Sequence, residues 1–180
     1  MDVVLHIGAH RTATTTFQAY LAANRAALGR MGIAVWGPKQ TRDGLLTGVI
    51  PIESPRPPQE QLDRARARVA INIARERRAG AKVLVISDEN MIGAPRRCLR
   101  QGRLYPDIGQ RLARFAHAFD GRVTRAHLTI RSHDAFWASV VSYSVARGNR
   151  VPDRAALEAL TAAPRLWRAV PLRPRAEPGE

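Results

Sequence analysis

VVLHIGAHRTATTTFQ, residues Val3–Gln18, is the stretch from which the rest of the chain is read. An apolar, largely β-branched run (Val3, Val4, Leu5, His6, Ile7) stops at Gly8. Small and basic residues follow, and then Thr14, Thr15 and Thr16 open a helical pattern. A strand, a glycine turn and a hydroxyl-rich helix start form a cradle for a phosphate-like anion. Backbone N–H groups and the positive end of the helix dipole converge there on one ligand.

Outward from this segment the pattern alternates. Helix is expected over about Thr14–Leu28, and a short extended run over Ile33–Trp36. Gly37–Pro58 is rich in Gly and Pro and long for a loop, which marks it as functional or mobile. A second helix spans about Gln59–Ala79 and stops at Gly80, a C-terminal cap. KVLVI, Lys82–Ile86, is a continuous apolar run of the kind buried on both faces of a parallel sheet. An Arg- and Pro-containing connector then leads to a helix at Ile108–Phe119, a strand at Val123–Ile130, a helix at Asp134–Arg147 and a short helix at Asp153–Leu160. Such alternation predicts a three-layer α/β/α domain around a central, mainly parallel sheet. Ligands of open sheets of this kind bind beyond the carboxyl ends of the strands. Three of those ends carry chemically loaded residues: Gly8–Thr16, Ser87–Asn90 and Arg131–Ser139.

The 180 residues are expected to form one domain over 1–163, followed by a disordered Pro/Arg-rich tail over 164–180. No apolar run is long enough to span a bilayer and no secretory leader is visible. Cys98, the only cysteine, excludes an internal disulfide and fits a reducing, cytoplasmic setting. Nothing around Cys98 resembles a Cys/His active site. The five histidines are not read as a metal centre. The net charge of +14 comes almost wholly from arginine, because Lys39 and Lys82 are the only lysines. Arg64, Arg66, Arg68, Arg75, Arg77 and Arg78 lie on one expected helix as a solvated face. Such a basic excess fits nucleic-acid binding, an acidic substrate or a polyanionic cofactor, although a chain this rich in Ala, Arg and Gly carries most of its arginines as composition; no nucleic-acid motif is present and aromatics for base stacking are few.

The first loop falls in the frame of the triphosphate-binding motif G-x-x-x-x-G-K-[ST]. In Gly8-Ala9-His10-Arg11-Thr12-Ala13-Thr14-Thr15, however, Ala13 stands for the second glycine and Thr14 for the lysine. Arg11 puts a cation inside the loop instead. HIGAHRTATTTFQ resembles the 5′-phosphosulfate loop of sulfotransferases that use 3′-phosphoadenosine 5′-phosphosulfate (PAPS), through His6, Ile7, Gly8, His10, Thr12, Thr14, Thr15 and Gln18. It departs from that pattern at Arg11, usually lysine, and at Ala13, usually glycine. Ala13 implies a backbone there that avoids glycine-only conformations. TIRSHDAFWASVVSY, Thr129–Tyr143, resembles the same family's 3′-phosphate motif, with Arg131 at a strand end and Ser139 eight positions later on a helix.

The resemblance implies a P-loop NTPase-like fold and PAPS as co-substrate. The implied reaction is sulfuryl transfer to an acceptor hydroxyl, of a carbohydrate or small molecule, with no metal. It places Gly8, His10, Arg11, Thr12, Ala13, Thr14, Thr15 and Thr16 on the 5′ end of the nucleotide and Arg131 and Ser139 on the 3′-phosphate. Arg11 would balance charge on the leaving oxygens. A carboxylate at the end of the KVLVI strand, Glu89 ahead of Asp88, would take the acceptor proton if its pKa were raised. His6 reads as a satisfied core histidine and His10 as a loop residue within reach of the sulfate. Family members are longer, so the domain reads as incomplete relative to them. The alternatives are a P-loop-type nucleotide phosphotransferase or kinase, and an inactive truncated nucleotide-binding or nucleic-acid-binding protein.

Overall fold

Strand β1, Asp2–His6, alternates buried and partly exposed residues and lies in the interior of a sheet of order β2-β3-β1-β4. The computed structural model of the chain describes residues 1–162 and Trp167. The other strands are β2 (Ile33–Trp36), β3 (Val83–Ser87) and β4 (Val123–His127), and every pairing is parallel. The helices are α1 (Thr14–Ala23), α2 (Arg25–Arg30), the single turn α3 (Pro38–Gln40), α4 (Pro58–Arg78), α5 (Pro95–Gln101), α6 (Ile108–Phe119), α7 (His133–Val145) and α8 (Arg154–Ala162). The chain is therefore an α/β domain with a small parallel sheet. No helix among the described residues is long and apolar enough to cross a membrane.

Register explains where the core lies. Val3 opposes Leu84 and Leu5 opposes Ile86, while Trp36 is level with Ile86 on the far side of β3. The period of two puts these side chains on one face. They pack in one cluster with Leu62, Ala65, Val69 and Ile73 of α4 and with Ile108, Phe115 and Phe119 of α6. Those α4 positions follow the helical spacing of an apolar stripe, which leaves its arginines outward as expected. Val35, one step out of phase, faces the other side of the sheet, where Leu21 is the buried residue of α1 nearest the helix's C-terminal end. Most apolar burial thus lies between the sheet and the α4–α6 pair.

Several boundaries differ from the sequence reading, each with a local cause. The first helix breaks at Asn24, whose amide and backbone N–H both bond the Tyr20 carbonyl, at 2.9 and 3.1 Å. A short polar side chain competing for helix carbonyls is a common terminator. The connector before α6 contains α5, with Pro95 at its start and Gly102 in the left-handed conformation at its end (φ 58°), the expected asymmetry of a helix with those residues. The strand expected over Val123–Ile130 ends at His127. The next residues run beside the first loop instead, the Thr129 carbonyl accepting from Ala9 N at 2.8 Å. Gly37–Pro58 is not wholly irregular either: α3 is followed by a wide helical turn over Thr41–Leu45 that opens at Asp43 and Gly44.

The tail expected over 164–180 lies outside the described residues except at Trp167. That indole packs near Tyr105 and Phe136 and donates to the Arg131 carbonyl at 2.6 Å.

Candidate active site

The loop between β1 and α1 is held from below and from the side. Thr12 Oγ1 donates to the Ala9 carbonyl at 2.6 Å, and Thr14 Oγ1 lies 3.4 Å from the same oxygen. Gly8 is buried, and a Cβ there would sit 3.1 Å from Thr14 Oγ1 and 3.3 Å from His6 Nε2. Arg11 and Ala13 both adopt left-handed backbone, φ 68° and φ 60°. Ala13 therefore does not avoid the glycine-favoured conformation, which corrects the sequence expectation. An L-residue held there costs about 1–2 kcal/mol, and the two left-handed residues turn the chain sharply into α1. No side chain caps α1 and no acidic residue stands in its first turn. Its positive end is uncompensated where Ala13, Thr14, Thr15 and Thr16 line a cleft of about 540 Å³.

The same cleft is lined by His10, Arg11, Arg42, Glu89, Arg131, Ser139 and Tyr143. Four segments far apart in sequence therefore meet at the carboxyl end of the sheet. Arg11 Nε donates to Ser139 Oγ at 2.9 Å, and Arg131 Nη1 donates to the Arg11 carbonyl at 2.9 Å. The Arg11 guanidinium also lies 4.9 Å from the centroid of the Tyr143 ring. Of the residues expected to touch a ligand, Gly8 and Thr12 do not line the cleft. Gly8 lies beneath the loop and Thr12 spends its hydroxyl on Ala9, so both shape the loop rather than meet its contents.

The two carboxylates after β3 have separate tasks. Asp88 is buried and fully engaged: it accepts from Thr41 Oγ1 at 2.6 Å, Arg42 Nη2 at 2.6 Å and Asn90 N at 3.0 Å. It ties the 41–45 turn to the end of β3 and does not line the cleft. Glu89 does, with Oε2 accepting from Gln18 Nε2 at 2.8 Å and Oε1 from Arg42 Nη2 at 2.8 Å. Burial alone would raise its pKa, but the bonds from Gln18 and Arg42 outweigh burial and hold it below the usual glutamate value. The raised pKa that the sequence reading required is absent, and Glu89 is a carboxylate at neutral pH.

His10 is fixed on three sides. Its backbone N–H donates to the Tyr105 hydroxyl at 2.8 Å, its Nδ1 lies 2.9 Å from that hydroxyl, and its Nε2 lies 3.1 Å from Asn90 Oδ1. One assignment satisfies all three: Tyr105 O–H donates to Nδ1, and Nε2–H donates to Asn90. Burial keeps the imidazole below its ordinary pKa despite the Asn90 bond and nearby Glu89. A neutral ring with both nitrogens engaged positions the loop and has no lone pair left for a substrate proton. His6 is half-buried, with Nδ1 2.9 Å from Ser87 Oγ and Nε2 3.2 Å from Thr129 Oγ1, the satisfied histidine that its place in the strand suggests.

Tyr105 and Arg42 carry this geometry without a signal of their own in the sequence, while Asn90 and Tyr143 fall inside stretches singled out there without a role of their own. Tyr105 lies ninety-five positions from its partner His10, and no local pattern reports such a contact. Among the described residues no group of His, Cys, Asp or Glu could hold a metal ion. Cys98 is buried in the core cluster. No family model, curated protein or solved structure matches the chain.

Proposed function

We propose that the chain is a sulfotransferase of P-loop-like fold that binds PAPS in this cleft and transfers its sulfuryl group to an acceptor hydroxyl. One observation carries the reading. A helix-terminus anion cradle and the Arg131–Ser139 pair open on the same cleft of about 540 Å³, a size ordinary for small-molecule sites. Two anion-binding groups within one cleft suit a ligand with two separated anionic ends. In this reading the uncapped turn Thr14–Thr16 holds the 5′-phosphosulfate and Arg131 with Ser139 the 3′-phosphate. Arg11 lies between them, its backbone bonded to Arg131 and its side chain to Ser139. The sulfur–oxygen bond to the bridging oxygen breaks as one to the acceptor oxygen forms, and the acceptor proton passes to Glu89, which Gln18 and Arg42 keep ionised: a weaker base than a raised pKa would make it, but one able to take a proton. Arg11 offsets the charge that develops on the departing phosphate oxygen, the kind of pre-placed charge that lowers such barriers.

Isothermal titration with adenosine 3′,5′-bisphosphate tests the reading. Binding by the wild type that falls at least about tenfold in Arg131→Ala is expected, the effect of losing one charge-assisted contact. ATP with Mg²⁺ binding more tightly than the bisphosphate, or no bisphosphate binding, would refute it. The loop favours the bisphosphate over ATP, because Thr14 stands where a triphosphate site needs lysine.

A further inference from the structure

A second, larger cleft of about 980 Å³ opens at the β2 edge of the sheet, between α1, the end of β2, the 38–45 segment and α4. It adjoins the first cleft through one contact. Gln18 lines the larger cleft, and its Nε2 donates to Glu89, which lines the smaller one. Anything bound in the larger cleft therefore lies one side chain away from the carboxylate assigned to take the acceptor proton.

The charge in this cleft is unbalanced. Arg25, Lys39, Arg68 and Arg75 line it against Asp43 and Glu76. Arg25 donates only to uncharged oxygens, Val35 O at 2.7 Å and Gln40 Oε1 at 2.8 Å. Arg68 likewise reaches only the carbonyls of Leu45 and Thr47. None of the four cations forms an ion pair with a described residue, and Glu76 is in part occupied by the indole N–H of Trp36 at 2.9 Å. A concave surface with uncompensated cations concentrates anions within it. The amides of Gln18, Gln40 and Asn72 add hydrogen-bonding groups of both kinds to the same lining.

We infer that the larger cleft is the acceptor site and that the acceptor is a polyhydroxylated anion, a molecule whose own carboxylate or sulfate faces Lys39, Arg75 and Arg25 while one hydroxyl reaches past Gln18 toward Glu89. This rests on the sulfuryl-transfer reading and adds the class of substrate to it. Repulsion between such an acceptor and PAPS is offset because each anion has its own set of cations, in separate clefts.

The test uses the full chain loaded with adenosine 3′,5′-bisphosphate and two saccharides matched in length. One is the hyaluronan tetrasaccharide, which carries carboxylates, and the other is the uncharged chitotetraose. The carboxylated sugar is expected to bind at least about tenfold more tightly, within the range that focused charge contributes. The preference is expected to vanish in Lys39→Gln/Arg75→Gln. Both positions are exposed, so this variant is expected to keep its fold and its bisphosphate affinity. Equal affinities for the two sugars, or a preference that survives the double substitution, overturn the assignment while leaving bisphosphate binding intact. Failure to bind the bisphosphate removes the sulfuryl-transfer reading itself, and the acceptor role with it.

Discussion

Replacing Ala13 by glycine should stabilise the protein, although alanine is the better residue almost everywhere else. Ala13 holds φ 60° and ψ 21° at the start of α1 and is solvent-exposed, so its methyl group contributes little packing. Left-handed backbone costs an L-residue about 1–2 kcal/mol. Glycine removes that strain but adds freedom to the unfolded chain, an opposing effect of about 0.4–1 kcal/mol. The difference is a gain of about 0.5–1 kcal/mol, or about 1–4 °C in Tm for a chain of this size. Urea denaturation followed by far-UV circular dichroism reads it directly. Ala67→Gly, in the exposed middle of α4, is the control of opposite sign and should cost about 1 kcal/mol. Ala13→Gly destabilising as much as Ala67→Gly would refute the left-handed assignment and the loop geometry built on it.

Tyr105→Phe removes the hydroxyl that serves both the backbone N–H and Nδ1 of His10. At a residue 1 % exposed, the unpaired groups should cost about 1–3 kcal/mol, and bisphosphate affinity should fall as the loop loosens; an unchanged denaturation midpoint would contradict this. The pH dependence follows from the histidines. Burial holds His6 and His10 below the ordinary value of 6.5, with the charge of His127 adding to the effect at His6. Above 6.5 folded and unfolded chains both carry neutral rings. Below it the unfolded chain takes up protons first, so stability falls as pH drops through 6.5 toward the lowered folded values. His10→Gln should flatten part of that slope in denaturation midpoints taken between about pH 7.5 and 5.5. Glu89, whose carboxyl lies below 4.5, gives up its contribution only in more acid solution.

The alternation of apolar strands and amphipathic helices was readable because each is a local pattern, and β1, β3 and α6 stand close to where it puts them. Arg11, Arg131 and Ser139 were readable for a related reason: in a parallel sheet, residues just beyond strand ends converge whatever the intervening chain does. Their bonding to one another was not readable, since nothing in the spacing says that Arg11 would reach Ser139. The division of labour between Asp88 and Glu89 turns on Thr41 and Arg42, which come from a segment whose composition marks it as functional or mobile but assigns no residue in it a role. Glu89 is held below the usual range rather than above it because two donors arrive from α1 and from that segment. Both contacts are long-range and leave no periodic trace. Pro95 and Gly102 are the opposite case, a legible start and stop around α5 that the density of arginines obscured.

The interior position of β1 also has a consequence for how the chain comes together. Its partners in the sheet lie roughly eighty and one hundred and twenty residues later, Val3 opposing Leu84 on one side and Val123 on the other. At synthesis rates of about 5–20 residues per second, the run VVLHI waits on the order of seconds before either neighbour exists. Non-local parallel pairing of this kind is slow to form. Until it does, an unpaired apolar strand is the segment most exposed to association with other chains. The same arrangement that brings the anion loop to the middle of the sheet therefore makes substitutions in β3 and β4 act on folding yield as well as on folded stability.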